Sequence, residues 1–401
     1  MEILFAAGHL PASRGRQGGQ KTSYHICEFL ARRHQLHFLG FIPADEIAEL
    51  NQADMEMFAS WELTPVTSRV RVIGALSAPL LPLSIAARHS HGFRRRLQKI
   101  VRERQPDVVI FDHTAMFQYA AGVPASVVTV GSAHDMMTQS WQRKRSQSAN
   151  PVARLLLSAE FRRMERWEKT ACARLDLVVA HNGKDKQLVE TLEPRARVVA
   201  IDAWMSPPAC YPASHREPGA MIFWGAMDRP ENVDAARWAA REIVPSIRRS
   251  VPRAKLYIAG SRGEQLAPEF AGRDDIVVTG FVEDVGALMS RMEIALLPLR
   301  LGAGIKIKTL ECMAAGLPVV TTSVGAEGVN GTHGTHYQVA DAAEEIAAHA
   351  IEFLSDPSAA REMGARAKQF IAESRDFAAR MSSFEEVLVD VVAERRNGQK
   401  R

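Results

Sequence analysis

The stretch from Glu293 to Gly328, EIALLPLRLGAGIKIKTLECMAAGLPVVTTSVGAEG, restricts the fold of this chain more than any other. It reads as strand, glycine loop, short helix, tight turn, second strand and a further glycine loop. Ile294 to Leu297 form a short, wholly apolar run, as expected of a strand buried on both faces of a parallel sheet. Gly302 and Gly304 let the backbone turn steeply and approach a ligand closely. The helix is expected from Ile305 to Ala315, with Gly316 as its left-handed stop and Pro318 preventing continuation. At helical spacing Gly304, Lys308, Glu311 and Ala315 share one face, while Ile307, Leu310 and Ala314 share the neighbouring apolar one. One face grips the sheet. The other offers a lysine and a carboxylate beside a helix N-terminus, which suits a ligand bearing negative charge and hydroxyl groups.

The same alternation of short apolar runs and helical patterns extends over all 401 residues, enough for two domains. In the first half, strands are expected at Glu2–Ala6, Leu36–Ile42, Arg69–Ile73, Asp107–Phe111, Ser126–Val130, Leu175–Ala180 and Arg197–Ile201, with helices between them. Residues 203–219 (AWMSPPACYPASHREPG) carry four prolines and no periodicity, and mark a linker. The pattern then restarts with strand Ala220–Trp224, helix Val233–Ser250, strands Lys255–Ala259 and Ile276–Thr279, and helix Asp284–Met292. The expected organisation is an α/β chain of two doubly wound parallel-sheet domains, 1–202 and 220–375. A last helix and polar tail, 376–401, would pack back on the first domain. Two such halves imply a cleft between a donor-binding and an acceptor-binding domain.

Composition narrows the class. Hydrophobic residues at 46% and charged residues at 24% are those of a globular protein. A net charge of +4 leaves no strong nucleic-acid footprint. MEILFAAGHL lacks a basic start and turns to glycine after a very short apolar run, so it reads as a first strand and not as a signal peptide. No apolar segment approaches the roughly 20 residues of a membrane span. Cys27, Cys172, Cys210 and Cys312 are scattered without a C-x-x-C pair, as in a reduced cytoplasmic protein with small buried cysteines.

Ligands of open α/β sheets sit at the carboxyl ends of the strands. That rule directs attention to Asp112 and His113, to His134 and Asp135, and to His181. A histidine just past a strand and next to a carboxylate can orient or polarise a hydroxyl near neutral pH. The competing reading has Asp135 capping the next helix and His134 merely packed. The loop Gly8–Gly19 (GHLPASRGRQGG) does not match G-x-G-x-x-G, which disfavours a nicotinamide or flavin enzyme. It either contacts a phosphate or an acceptor through Gly15, Arg16, Gly18 and Gly19 or simply connects β to α. From Pro79 to Arg104 seven Lys/Arg stand against one Glu. The basic segment 88–104 is compatible with peripheral contact with an anionic membrane, and equally with an ordinary solvated helix face.

The segments FWGAMDRPENVDAARWAAREIVPSIRRSVPRAKLYIAG, GFVEDV and GAGIKIKTLECMAAGLPVVTTSVGAEGV, in that order from Phe223 to Val329, resemble the retaining family 4 glycosyltransferases, which have the GT-B architecture. FLSDPSAAREMGARAKQFI continues the likeness. The N-terminal half resembles them only through the first strand, its glycine loop and the dipeptide His134-Asp135. By this resemblance Glu311 is the second glutamate of an E-x7-E motif and accepts hydrogen bonds from the donor ribose. The first glutamate falls at Ala303, so sugar contacts would come from the amides of Ala303, Gly304 and Ile305. The arginine and lysine that many members carry after the first strand of this domain align with Ala226 and Glu231. A departing diphosphate needs positive charge. Here it would come from Lys306, Lys308 and the helix amides, with Lys308 foremost because it shares the face of Glu311, and with Arg229 as a third cation.

Phe281 and Val282 resemble the segment that holds the base, Glu327 and Gly328 the loop near the pyrophosphate, and His134 the histidine beside the transferred sugar. The resemblance implies a metal-independent transferase with no cofactor and a UDP- or GDP-linked sugar as co-substrate. It also implies a glycan or lipid-linked acceptor of envelope or capsular polysaccharide synthesis. The expected location is the cytoplasm, by the cysteine pattern, with the basic segment 88–104 compatible with a peripheral place on the inner membrane face. A sugar-nucleotide 2-epimerase of the same architecture and a catalytically inactive nucleotide-sugar binder are the rival expectations.

Overall fold

A computed structural model describes residues 1–13, 18–48, 50–201, 216–302, 304–374 and 377–398. The chain divides into two compact units, Met1–Ala203 with Ala378–Arg401, and Trp204–Phe377. In the first unit β1 (Glu2–Ala7), β2 (Gln35–Pro43), β3 (Ser60–Val66), β4 (Val108–Asp112), β5 (Val128–Ala133), β6 (Leu177–Ala180) and β7 (Val198–Ala200) form one sheet in the order β3-β2-β1-β4-β5-β6-β7. In the second, β8 (Ala220–Trp224), β9 (Lys255–Ala259), β10 (Ile276–Gly280), β11 (Ile294–Leu297), β12 (Val319–Thr321) and β13 (Gln338–Val339) take the order β10-β9-β8-β11-β12-β13. Every pairing is parallel. Helices cover both faces, so the central strands β1, β4, β8 and β11 are buried almost throughout.

The strand expected at Arg69–Ile73 is instead part of helix Ser68–Ser77, and the edge strand lies just before it at β3. The alternation R-V-R-V-I imitates a half-buried strand, but the side chain of Thr67 accepts from Val70 N and starts a helix. Gly74 then lets this helix close on the next segment: a Cβ there would lie 2.5 Å from Ala86 O. The helix expected at Val233–Ser250 starts earlier, at Pro230, and passes through a π turn at Ala239–Ile243. The pair Gln338–Val339 has no strand pattern and is held at the sheet edge by β12.

Helix Phe377–Arg396 belongs largely to the first unit. Arg395 and Arg396 pair with Asp176 and Asp107 beside β6 and β4, and Glu385 pairs with Arg33. Helix His91–Arg104 turns Phe93, Leu97, Ile100 and Val101 into the core and leaves its basic residues on the other side. Any membrane contact of 88–104 would thus rest on charge alone. Cys27, Cys172 and Cys312 are buried and free, while Cys210 lies outside the described residues.

In the second unit β8 ends against the loop that follows β9. Gly260 has φ +137°, and a Cβ there would stand 1.9 Å from Gly225 O. Gly260→Ala is therefore expected to cost about 3 kcal/mol, from a disallowed backbone plus a backbone clash. Gly272→Ala, at φ +80° with nothing within 4 Å, should cost only about 1 kcal/mol. The thermal transition of the two variants checks this, and equal shifts would refute it.

Candidate active site

In the first unit, Asp112 and His113, His134, and His181 follow the carboxyl ends of β4, β5 and β6, three neighbours in the sheet. His9 follows β1, which lies on the other side of β4. The register sets Ala7 beside Asp112, Asp112 beside Ser132, and Ala133 beside Ala180, so these residues emerge at one level. His134 lies between two other rings, with centroids 5.8 Å from His9 and 4.8 Å from His181. His113 is 6.2 Å from His134 and is held at φ +79°, a strained conformation of the kind that clusters at functional sites.

Asp112 is fully buried and organises the group. One carboxylate oxygen bonds His134 Nε2 at 2.7 Å, and the other accepts from Ser23 Oγ at 2.5 Å and lies 3.4 Å from His9 Nε2. Burial opposes ionisation of Asp112, but His134 and His9 outweigh it and hold the carboxyl well below its usual range. For His134 burial favours the neutral ring, yet the Asp112 charge prevails and raises its pKa. His113 and His181 have no such partner and are driven neutral by burial, His181 to about 3. The result is one imidazolium–carboxylate pair beside two neutral imidazoles, those of His113 and His181. With Nε2 held, Nδ1 of His134 faces Gly19, where a Cβ would lie 3.9 Å away. That nitrogen is placed to donate to a ligand over the start of helix Gly18–Ala31.

Asp135 does not cap the helix that follows. Buried Glu168 accepts from Met137 N and Thr138 N at 2.6 and 3.2 Å. Burial raises the pKa of Glu168 to about 8. Of the predicted loop residues, Gly18 and Gly19 begin a helix, and Gly15 and Arg16 lie outside the described residues. His9 and Ser23 join this group only in the structure. His9 obeys the same carboxyl-end rule two residues past β1, whereas Ser23 gives no sequence signal. The ligand atoms of His9, Asp112 and His134 lie within 4.8 Å of one another, a set of the type that holds a divalent ion. The hydrogen bonds to Asp112 also account for the cluster without one.

The second unit assembles a different site around β8 and β11. The helix expected from Ile305 begins at Ile307 and ends at Ala314, with Gly316 at φ +72°. Gly304 is therefore in the loop, and Lys308, Glu311 and Ala315 remain as the polar face. Ala303 lies outside the described residues. Gly302 and Gly304 have φ +112° and +68°. The two glycine loops meet: Lys306 N donates to Glu327 O at 3.2 Å, and a Cβ on Gly328 would lie 3.1 Å from Ile305.

Here the two lysines part company. Lys306 is buried, donates through Nζ to Gly304 O at 2.7 Å, and lies 3.4 Å from the Glu327 carboxylate. Lys308 donates to the side-chain oxygen of Asn232, whose amide donates to Ala226 O at 2.8 Å, and its Nζ lies 5.1 Å from the centre of the Phe223 ring. Burial lowers the pKa of Lys308 to about 7, against the nearby charge of Glu231. Gly225 makes room: a Cβ there would stand 2.9 Å from Nζ. Arg229 Nη1 is 3.7 Å from Glu231. Asn232, missed in the sequence, positions the lysine from the first turn of helix Pro230–Trp238. Phe281 is 61% exposed beyond β10 and Val282 is partly buried beside it.

Comparison with known proteins accounts for both units. Residues 16–202 match the family described as Glycosyltransferase Family 4, and residues 218–356 match Glycosyl transferases group 1. The chain carries two glycosyltransferase domains. Its fold is GT-B. Anabaena HepE, solved in complex with UDP and glucose, matches with a TM-score of 0.68 and 14% identity over 97% of this chain and 99% of that one. TarM of S. aureus, solved with UDP, Fondaparinux and alpha-GlcNAc-glycerol, matches with a TM-score of 0.71 and 9% identity over 97% and 100%. A 44.6 kDa uncharacterized protein from the cps region of Klebsiella pneumoniae is 27% identical over 164 residues. That alignment spans 39% of this chain and 42% of the relative's length. Among the described residues no helix is long and apolar enough to cross a membrane.

Proposed function

We propose that this protein transfers a sugar, with retention at the anomeric carbon, from a UDP- or GDP-linked donor to a hydroxyl of a glycan or lipid-linked acceptor in the cytoplasm. The observation that carries the reading is the lysine at position 308, held on Asn232 and half-buried at the start of a helix in a glycosyl transferases group 1 domain. A cation there stabilises a departing diphosphate without a metal ion. Glu311, on the same helix face, takes the ribose hydroxyls, and Phe281 with Val282 packs on the base. His134 serves the transferred sugar as a hydrogen-bond donor. No enzymic nucleophile is required, and the departing diphosphate takes the acceptor proton. UDP in the HepE and TarM structures supports the donor class. The place of the Klebsiella relative in a cps region supports a polysaccharide or glycolipid acceptor.

Thermal shift with UDP, GDP, ADP, TDP and CMP tests the reading. One diphosphate at a hundred times its Kd should stabilise the protein by about 2.7 kcal/mol, a rise of several degrees. No shift with any of the five would count against the donor site. Incubation with donor alone separates an epimerase, which would yield a new sugar nucleotide, from a transferase, which yields slow hydrolysis at most.

A further inference from the structure

Apart from the two sites described, the first unit holds a cavity of about 570 Å³ lined by helices Met137–Gln147 and Gly183–Leu192. These helices follow β5 and β6, neighbours in the sheet, and Gln139 ties them by donating to Asp185 Oδ1 at 2.5 Å. At helical spacing Gln139, Gln142, Arg143 and Ser146 share one face of the first helix. Lys184, Gln187, Leu188 and Thr191 share one face of the second. Both faces line the cavity. A helix stripe turned inward is ordinarily apolar, yet of these eight residues only Leu188 is.

Charge decides the sign of what enters. Arg145 also lines the space, with its guanidinium stacked 4.7 Å from the centre of the Phe161 ring. With Arg143 and Lys184 it brings three cations, and the lining contains no Asp or Glu. The carboxylates of the second helix are committed elsewhere. Asp185 is buried and accepts from Gln139 and Asn182, and Glu190 pairs with Lys186 at 2.7 Å. From Met136 to Ala159 the chain has no Asp or Glu at all. The cavity is therefore held at positive potential.

The remaining groups narrow the ligand. Three glutamine amides and two hydroxyls can each donate and accept, which is what sugar hydroxyls require. No aromatic residue lines the cavity, so a nucleotide base finds no platform there. The volume lies within the range of about 300–1,000 Å³ of small-ligand sites, far more than a lone phosphate fills. We infer that this cavity binds an acidic segment of the acceptor glycan. Arg143, Arg145 and Lys184 take its anionic groups through charge-assisted hydrogen bonds, and the amides take its hydroxyls. That the ligand is an acceptor rests on the proposed transferase function; that it is an acidic sugar rests on the lining. Gln139 stands five residues after His134, so the cavity adjoins the turn that carries this histidine.

Calorimetric titration of the full chain with trigalacturonate and with maltotriose tests this. Trigalacturonate should bind about ten times more tightly or better, with an affinity that falls as salt rises. Arg143→Ala with Lys184→Ala should weaken it about tenfold or more, because charge-assisted hydrogen bonds are lost. Arg95→Ala with Lys99→Ala, on the basic helix His91–Arg104, should leave it unchanged. Both pairs should keep the wild-type thermal transition and its shift with the donor diphosphate. If the first pair disturbs folding, Arg143→Gln with Lys184→Gln is read by the same criterion. The titration needs no donor. A protein that binds trigalacturonate but shifts with no diphosphate would sink the transferase function and leave the glycan site standing. Four results would overturn the inference. They are no binding of trigalacturonate, equal binding of maltotriose, a cavity variant that binds like wild type, and inorganic phosphate that binds as tightly as trigalacturonate, which would leave a plain anion site.

Discussion

Lys308→Met is expected to lower kcat/KM for sugar transfer by about 10² or more, the usual cost of losing one preorganised group that meets developing charge. The substitution keeps length and apolar bulk, so the packing against Phe223 survives and the ammonium is what is lost. Glu311→Ala should act on donor affinity, through the ribose, and Lys308→Met on both affinity and turnover. If both variants transfer sugar as well as wild type, the site assignment is wrong.

Lys308 also gives the donor affinity a pH dependence of known sign. With a pKa of about 7 the side chain is largely neutral at pH 8.5 in the free protein. A bound diphosphate favours the charged form and draws a proton in. Affinity for UDP should therefore fall as pH rises from about 7 to 9, with proton uptake visible in calorimetry across buffers of different ionisation enthalpy. The Lys308→Met variant should show neither effect. Stability moves oppositely. The unfolded lysine keeps its proton to about 10.5, so between about 7 and 10.5 the unfolded state binds more protons and the Lys308 contribution to stability grows with pH.

Asp112→Asn is the second large effect. Asp112 is buried with its charge balanced by His134, and removing one partner of such a pair typically costs about 3–5 kcal/mol. The sign again follows from the shifts. The pKa of Asp112 is depressed, so its contribution is present above the ordinary carboxylate range and lost only in strong acid. The pKa of His134 is raised, so its contribution is complete below about 6.5 and fades as pH rises through the folded value. The melting-temperature gap between wild type and Asp112→Asn should be widest near pH 5–6 and narrow towards pH 9. A gap independent of pH would mean that Asp112 stabilises the unit without charging His134. His134→Ala, which leaves Asp112 buried without its cation, should lower turnover by about 10².

Much of this was legible in the residues. Apolar runs such as Ile294–Leu297 and Ala220–Trp224 coincide with strands because a strand buried on both faces admits little else. Gly316 followed by Pro318 marks the end of a helix because both act on their own backbone. Local patterns failed where a local rule had two outcomes. Arg69–Ile73 alternates like a strand, and Thr67 capping together with the close approach at Gly74 turned it into a helix. That reversal is also what leaves Val72, Ile73 and Leu76 in solvent.

Within the candidate sites the division is sharper. Sequence position directs attention to His134, which follows a strand, to Lys306 and Lys308, which open a helix, and to Glu311, which shares the helix face of Lys308. It says nothing about partners. Lys306 and Lys308 are two residues apart, yet one is turned to Glu327 and the other to Asn232, 21 and 76 residues distant.

The sequence by itself determined the alternating α/β pattern, the glycine loops and the residue types at strand ends. Periodicity, chirality and missing side chains act within a few residues, so these can be read from the chain directly. Only the tertiary structure decided which of those ends meet. Strand order is not chain order. Because β1 lies beside β4 and β8 beside β11, His9 reaches the Asp112–His134 pair and Asn232 reaches Lys308. The charges of His134 and Lys308 then follow from burial and partner, quantities that exist only once distant segments have packed together.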